Sequence, residues 1–133
     1  MNSYFYHIQT NIKFENKQFY KDLFAFMGWS SIFEIEDVFG FKSKKNGDIW
    51  FVDTERTNKQ DYDDIGVNHI SLRVDELKNV DEITALLKEK GISTLFGTPK
   101  HRTEFTDESQ TYYQIMFESP DKILFEIVYI GAK

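Results

Sequence analysis

The sequence of 133 residues contains no cysteine, which excludes disulfide bonds, thiolate metal ligands and a thiol nucleophile. It also lacks an apolar stretch long enough for a signal peptide or a membrane-spanning helix. Its formal charge of -6 at pH 7 is spread along the chain, so there is no basic stripe that could neutralise phosphates. We therefore expect a soluble cytoplasmic protein with neither nucleic acid nor membrane as a partner.

Aromatic residues, by contrast, are plentiful, since 13 Phe and 7 Tyr supply most of an aromatic share of 17%. Much of the core must therefore be built from rings. The length corresponds to one ordinary domain, which we place at 1–133. Because an aromatic-rich surface is easier to bury between two copies of the chain, we also expect a homodimer.

An internal repeat divides the sequence into two similar halves. The first half begins at His7 as HIQTNIKFENKQFYKDLFAFMGWSSIF, and the second begins at His69 as HISLRVDELKNVDEITALLKEKGISTLF. In each half an alternating segment is followed by apolar residues at helical spacing, and a glycine ends the helix. Three short strand-like segments follow each helix. The sequence therefore predicts two βαβββ modules, at 1–53 and 66–133, with a polar linker at 54–65.

Module two contains a second polar stretch, TPKHRTEFTDESQ, at 98–110. We predict a strand at 93–98, directly before it, and a long loop over the polar stretch itself. A long loop inside a compact domain is commonly a binding loop or lid, although a simple solvated loop would have the same composition. His101 lies in this stretch and is expected to be exposed.

Alternation along the two histidine-bearing strands predicts a polar face. His7, Gln9 and Asn11 share one face of the first strand, and His69 and Arg73 lie equivalently on the matching strand. The opposite, apolar faces should pack on the helices. The polar face then lines either a ligand site or water, since an antiparallel sheet can leave one face solvated.

Glu126 lies in the middle of the apolar run KILFEIVYI, where an ionised carboxylate must be paired or bound to a metal. With His7 and His69 it would form a set of two histidines and one carboxylate, which binds a divalent cation and leaves coordination positions open. A salt bridge to Arg73 would satisfy the same carboxylate. The residue pattern leaves both alternatives open.

The chain resembles the vicinal oxygen chelate superfamily, which includes glyoxalase I, extradiol dioxygenases, fosfomycin-resistance enzymes and bleomycin-binding proteins. The resemblance covers the whole chain and rests on YHIQTNI, NHISLRVD, FYKDLFAFMGW and the closing hairpin YYQIMFESPDKILFEIV. It implies an α+β fold of two βαβββ modules that pair into a cupped, half-closed mixed-sheet barrel. It further implies His7, His69 and Glu126 as metal ligands, Glu126 as a catalytic residue, and Mn, Fe, Ni, Co or Zn as the ion.

The function implied is that of a metal-dependent enzyme, of lyase or dioxygenase type, that chelates a small oxygenated substrate through two vicinal oxygens. The repeat aligns Val52 with Glu126, where glyoxalase I usually carries a glutamate, and this departure weighs against glutathione-linked activity. The alternative is a metal-free protein that sequesters a small molecule, as bleomycin-resistance proteins do. Tyr112 and Tyr113 are adjacent on one predicted strand, so only one of them can face the site. The expected substrate-binding residues are Gln9, Trp50, Arg73 and Tyr113.

Overall fold

Two compact units make up the chain in the computed structural model, which describes residues Met1–Lys133. Unit one spans Met1–Asn58 and unit two spans Lys59–Lys133. Each unit contains one α-helix and one four-stranded mixed sheet, so the predicted order of two βαβββ modules is confirmed. Neither sheet closes into a barrel. Neither helix has the length and apolar character needed to cross a membrane.

Unit one carries its helix on one face of its sheet. The elements are β1 (His7–Ile12), a short 3-10 helix (Phe14–Asn16), α1 (Lys17–Phe26), β2 (Ser30–Ile35), β3 (Val38–Lys42) and β4 (Asp48–Asp53). The strand order is β1-β4-β3-β2, and β1 runs parallel to β4 while the other pairs are antiparallel. Helix α1 gives way to Gly28, whose positive φ of 84° turns the chain toward β2.

Rings fill the space between α1 and its sheet, as the composition predicts. Phe51 on β4 has its ring centroid 5.0 Å from that of Phe39 on β3 and 4.7 Å from that of Tyr20 on the helix. Burying this apolar surface is the main stabilising contribution in the unit. The buried apolar side chains of unit one are Ile12, Phe19, Tyr20, Leu23, Phe24, Phe39, Phe41, Ile49 and Phe51.

Unit two repeats this architecture with longer closing strands. Its elements are β5 (Ile70–Val74), α2 (Leu77–Glu89), β6 (Lys100–His101), a 3-10 helix (Thr103–Phe105), β7 (Gln110–Glu118) and β8 (Leu124–Ala132). The strand order is β5-β8-β7-β6, with β5 parallel to β8. The buried side chains that α2 shares with alternate positions of β7 and β8 are Val80, Ile83, Leu87, Ile115, Phe117, Phe125 and Ile127.

The strand predicted at 93–98 does not form. Thr94 makes only an isolated bridge to Phe117, and Phe96 and Gly97 adopt positive φ angles of 59° and 70° that turn the chain away from regular pairing. The edge strand is β6 instead, which lies inside the stretch predicted as a loop. His101 on β6 is exposed, as expected. The predicted homodimer stays a prediction.

Candidate functional site

Glu126 is a buried carboxylate on β8, an interior strand of the unit-two sheet. It lies in register with Ser71 on β5 and Met116 on β7, and only 4% of its surface is exposed. Its neighbours along the chain, Phe125 and Ile127, point to the opposite, helix-covered face. A buried carboxylate needs hydrogen-bond or charge partners. The partners of Glu126 are His69, Tyr112 and Gln114, which all belong to unit two.

One oxygen of this carboxylate, Oε1, accepts two hydrogen bonds from β7. The Tyr112 hydroxyl donates to it at 2.6 Å, and the Gln114 side-chain amide donates to it at 2.6 Å. Burial, and then the hydrogen bond to Glu126, raises the pKa of Tyr112, so its phenol gives up its proton less readily than an exposed tyrosine does. Oε1 is therefore fully engaged by protein donors.

The second oxygen, Oε2, faces the imidazole of His69. Nε2 of His69 lies 3.3 Å from Oε2 of Glu126. The other ring nitrogen, Nδ1, lies 2.8 Å from the side-chain oxygen of Asn68. Asn68 in turn donates from its amide nitrogen to the Tyr62 carbonyl at 2.8 Å, so its oxygen is left as an acceptor. Nδ1 must then carry the ring hydrogen, because only a donor fits against that acceptor.

The segment that carries Tyr62 is itself held to the sheet. The Tyr62 hydroxyl donates to Glu118 at the end of β7 at 2.5 Å. This hydrogen bond, with burial as the second cause, raises the pKa of Tyr62 to about 12. A chain of contacts thus runs from Tyr62 through Asn68 to His69, and it fixes both the tautomer and the orientation of the imidazole.

These contacts leave two lone pairs facing each other. In its neutral form His69 presents the Nε2 lone pair toward Oε2 of Glu126, and two acceptors at 3.3 Å repel unless a positive charge lies between them. Either a proton on Nε2 or a metal cation bound by both atoms supplies that charge. Imidazole nitrogen and carboxylate oxygen are both ligand types that suit Mn, Fe, Co, Ni and Zn, so these two atoms fit part of a divalent-cation site. They are only two ligands, and within either unit no group of three His, Cys, Asp or Glu side chains could hold a metal ion.

Arg73 does not neutralise Glu126, which corrects one of the two alternatives that the sequence left open. Its Nη2 donates to the main-chain carbonyl of Ile130 at 2.6 Å, further along β8. The Arg73 side chain is long enough to choose between several acceptors, and it takes a carbonyl near the solvent. The side chain that faces Oε2 of Glu126 is that of His69, with Nε2 at 3.3 Å.

The two adjacent tyrosines of β7 lie on opposite faces, and the structure corrects which of them faces Glu126. The Tyr113 hydroxyl donates to Asp81 on α2 at 2.7 Å, and its ring lies 4.5 Å from that of His101. Burial, and then the hydrogen bond to Asp81, raises the pKa of Tyr113 to about 12. Tyr113 is therefore on the helix side of the sheet, and Tyr112 occupies the face on which Tyr113 was expected.

In unit one, His7, Gln9 and Trp50 lie on the sheet face that α1 leaves uncovered. Gln9 is in register with Trp50 and donates to the side chain of Asn11 at 3.3 Å. The predicted sharing of a face by these β1 residues is thus confirmed. The convergence of His7 with His69 on one cavity stays a prediction.

The sheet registers also correct the alignment of the two halves. Ser71 pairs with Glu126 in unit two, and Gln9, which matches Ser71 in the repeat, pairs with Trp50 in unit one. The residue equivalent to Glu126 is therefore Trp50 and not Val52. Trp50 and Val52 lie on the same face of β4, because a shift of two residues along a strand preserves side-chain direction. A carboxylate is absent from this position with either alignment.

Sequence reasoning missed the side chains that hold the His69–Glu126 pair in place. Asn68 and Gln114 carried a usable signal, since one adjoins the histidine and the other lies two residues from Tyr112 on a period-two strand. Arg102 carried none. It comes from the stretch predicted as a loop, yet its Nη1 donates to the Gln114 side-chain oxygen at 3.0 Å.

A scan against protein-family models finds no match, and a search of curated protein sequences finds none. Solved structures do match. A candidate glyoxalase from Bacillus halodurans has a TM-score of 0.76 and 26% identity, and 94% of each chain is covered. A glyoxalase/bleomycin resistance protein from Albidiferax ferrireducens T118 has a TM-score of 0.74 and 13% identity over 93% of this chain and 97% of that one. The fosfomycin resistance protein FosX from Listeria monocytogenes has a TM-score of 0.66 and 20% identity, with 96% and 91% covered.

Proposed function

We infer, from the vicinal oxygen chelate fold that the chain shares with these solved structures, that it binds a divalent cation and acts on a small oxygenated substrate. The observation that carries this proposal is the His69–Glu126 pair, in which two lone-pair atoms face each other at 3.3 Å while their other atoms are engaged by protein partners. A pair prepared in this way is suited to binding a positive ion.

In this proposal, Nε2 of His69 and Oε2 of Glu126 are two of the protein ligands. His7 is proposed as the third ligand on the strength of the sequence repeat, in which it matches His69. Mn, Fe, Ni, Co or Zn is the proposed ion. When bound, a cation of this kind supplies a Lewis acid that polarises substrate oxygens, and a substrate with two vicinal oxygens would chelate it.

The protein side chains around the pair keep it in one hydrogen-bonding arrangement. Tyr112 is a neutral phenol at pH 7, as a tyrosine with the ordinary pKa of about 10 already is, and it donates to Oε1 at 2.6 Å. The Phe105 ring packs edge-on against the Tyr112 ring with 5.2 Å between centroids, which helps to hold the Tyr112 ring in place. The carboxylate is thus held by neutral donors on one oxygen and left open on the other.

The nature of the reaction follows from the family and from one departure. We propose a lyase or dioxygenase type of reaction. Trp50 occupies the position equivalent to Glu126 in unit one, so that position supplies no fourth acidic ligand. Glutathione-linked glyoxalase activity is therefore not part of the proposal.

The test uses metal titration of the untagged protein with Mn, Co, Ni and Zn, followed by calorimetry and by thermal melting. We expect the wild-type protein to bind at least one of these ions and to melt at a higher temperature when loaded, because a ligand that binds only the native state stabilises it. His69→Ala and Glu126→Gln should abolish both effects. His101→Ala is the matched control, since it changes an exposed histidine on the helix side of the same sheet, and it should bind as the wild type does.

The outcome that contradicts the proposal is equally definite. If no ion binds or shifts the melting temperature, while an aromatic small molecule does stabilise the protein, the metal-free sequestering function replaces the enzymatic one.

A further inference from the structure

Glu126 is reached by a chain of hydrogen bonds that starts outside the central strands. Arg102 follows β6, donates through Nη1 to the Gln114 oxygen at 3.0 Å, and Gln114 donates from its amide nitrogen to Oε1 of Glu126 at 2.6 Å. We propose that Arg102 is a positioning residue: through Gln114 it restricts Glu126 to binding the cation through Oε2 alone. This inference rests on the proposed function, because it concerns how the same carboxylate binds metal.

The two hydrogen-bond partners of the Gln114 side chain determine the orientation of its amide. Gln114 is 2% exposed, so its two ends find partners only within the protein. A guanidinium can donate hydrogen bonds but cannot accept them, so the oxygen of Gln114 must face Arg102. The amide nitrogen then faces Glu126. The opposite orientation would set two donors against each other at Arg102 and two acceptors against each other at Glu126.

Arg102 is itself held in a fixed position by several contacts. Its main-chain N–H donates to the Tyr112 carbonyl at 2.7 Å, which joins it to β7. Its Nε donates to Glu104 at 2.5 Å, and its guanidinium carbon lies 4.7 Å from the centre of the Phe105 ring. The guanidinium is thus held by a carboxylate, a ring and an amide at once, so its direction toward Gln114 is well defined.

These contacts determine which oxygen of Glu126 is left for a cation. With the amide of Gln114 and the hydroxyl of Tyr112 both donating to Oε1, the lone pairs of that oxygen are engaged. Oε2, which faces Nε2 of His69, is the oxygen left for a cation. Hydrogen-bond partners of metal ligands typically change metal affinity by about tenfold to a hundredfold when removed.

The experiment compares Arg102→Met, Arg102→Lys and Arg56→Met with the wild-type protein. Arg56→Met is the matched control, because it also removes a guanidinium, but an exposed one that belongs to unit one. Each protein is titrated with Co(II), and affinity is measured by calorimetry. The visible absorption spectrum of bound Co(II) reports the coordination of the ion, and melting of the metal-free protein reports folding.

We expect Arg102→Met to weaken Co(II) binding by about tenfold to a hundredfold and to change the spectrum, since Glu126 gains freedom to bind through both oxygens. Arg102→Lys should recover much of the affinity and the wild-type spectrum, because an ammonium also donates to the Gln114 oxygen. A merely structural role would lower the metal-free melting temperature without changing the spectrum.

Wild-type affinity and spectrum in Arg102→Met would overturn this inference and leave the metal site standing. An equal loss in Arg56→Met, or no recovery in Arg102→Lys, would overturn it as well. Failure of the wild-type protein to bind Co(II), Mn, Ni or Zn would overturn the proposed function and this inference together.

Discussion

The two units have the same order of elements and the same pairing of a first and a last strand, yet their uncovered faces carry different chemistry. In unit two the third position of the last strand holds Glu126, whose partners are His69, Tyr112 and Gln114. In unit one the equivalent position holds Trp50, whose ring packs over Gly40. The backbone plan therefore does not decide the chemistry of the face; one side chain at one register position does.

The difference teaches how each side chain is accommodated. A buried carboxylate is stable only within a set of donors, so unit two surrounds Glu126 with polar residues from β7 and from the segment before β5. An indole needs contact area and not donors, and unit one supplies it with Phe33, at 5.7 Å between ring centroids, and with a glycine that leaves room for it. Polar connection characterises unit two, and close ring packing characterises unit one.

The largest effect on this comparison is expected from filling the space beneath Trp50. A Cβ added at Gly40 would lie 2.7 Å from the Trp50 ring, so Gly40→Ala must displace a wedged indole. We expect it to lower the free energy of unfolding by about 1–3 kcal/mol, the usual effect of overpacking. Urea denaturation measures the change.

Gly131 in unit two gives the matched control. A Cβ there would lie 2.5 Å from the hydroxyl of Tyr129, which is the outer end of a side chain that can move aside by giving up its exposed hydrogen bond to the Ala132 carbonyl. Gly131→Ala should therefore lower the free energy of unfolding by no more than about 0.5–1 kcal/mol. Equal losses in the two variants would show that ring packing is no more restrictive in unit one than in unit two.

A smaller effect is expected from releasing the histidine of unit two. Asn68→Ala removes the acceptor that holds the Nδ1 hydrogen of His69, so the imidazole can populate the other tautomer. We expect Co(II) affinity to fall about tenfold, which corresponds to about 1.4 kcal/mol. Calorimetric titration measures it.

The control for this variant lies in unit one. Asn11 also accepts a hydrogen bond from a neighbouring polar side chain, that of Gln9, but it belongs to the other unit. Asn11→Ala should leave Co(II) affinity within about twofold of wild type, a margin far below the usual effect of removing a ligand's hydrogen-bond partner. A comparable loss in both variants would contradict the assignment of ligand orientation to the Asn68 contact.

The smallest effect concerns alkaline pH. Burial and the Asp81 hydrogen bond raise the pKa of Tyr113 to about 12, so the folded state holds this proton more tightly than the unfolded state. The stability gained in this way is fully present below the ordinary tyrosine pKa of about 10 and is lost as pH rises from there toward 12. Tyr113→Phe should therefore lose less stability than wild type between pH 10 and pH 12.

Urea denaturation at pH 8, 10 and 11 measures this difference, with each protein compared with its own value at pH 8. Tyr4→Phe, which changes an exposed tyrosine of unit one, is the control and should follow the wild-type curve. If Tyr113→Phe also follows that curve, the Tyr113 hydroxyl of the wild-type protein makes no hydrogen bond to Asp81 in solution.

The sequence was sufficient for the modules and for the direction of side chains along β1, because hydrophobic periodicity and the repeat determine both. It was also sufficient to identify Glu126 as a residue that needs a partner. It could not identify that partner, because Arg73 lies on β5 and His69 lies directly before β5, so both are near Glu126 along the sheet. Only the side-chain conformations decide that Arg73 contacts a carbonyl and that His69 faces the carboxylate.

Two errors came from properties that alternation does not encode. The alignment of Val52 with Glu126 slipped by two residues, and such a slip leaves every side chain on its expected face and so produces no conflict in the sequence. The strand expected at 93–98 is broken by the positive φ of Phe96, which is uncommon for a residue with a Cβ and has no signature in composition.

The tautomer that Asn68 imposes on His69 also bears on the sequence of binding events. With the ring hydrogen held on Nδ1, an incoming molecule meets only electron pairs on Nε2 and Oε2, 3.3 Å apart. Under the proposed function, a substrate oxygen that carries no hydrogen, such as a carbonyl or carboxylate oxygen, meets like partial charges there until a positive charge separates them. The proposal therefore predicts ordered binding, with the ion first and such a substrate second.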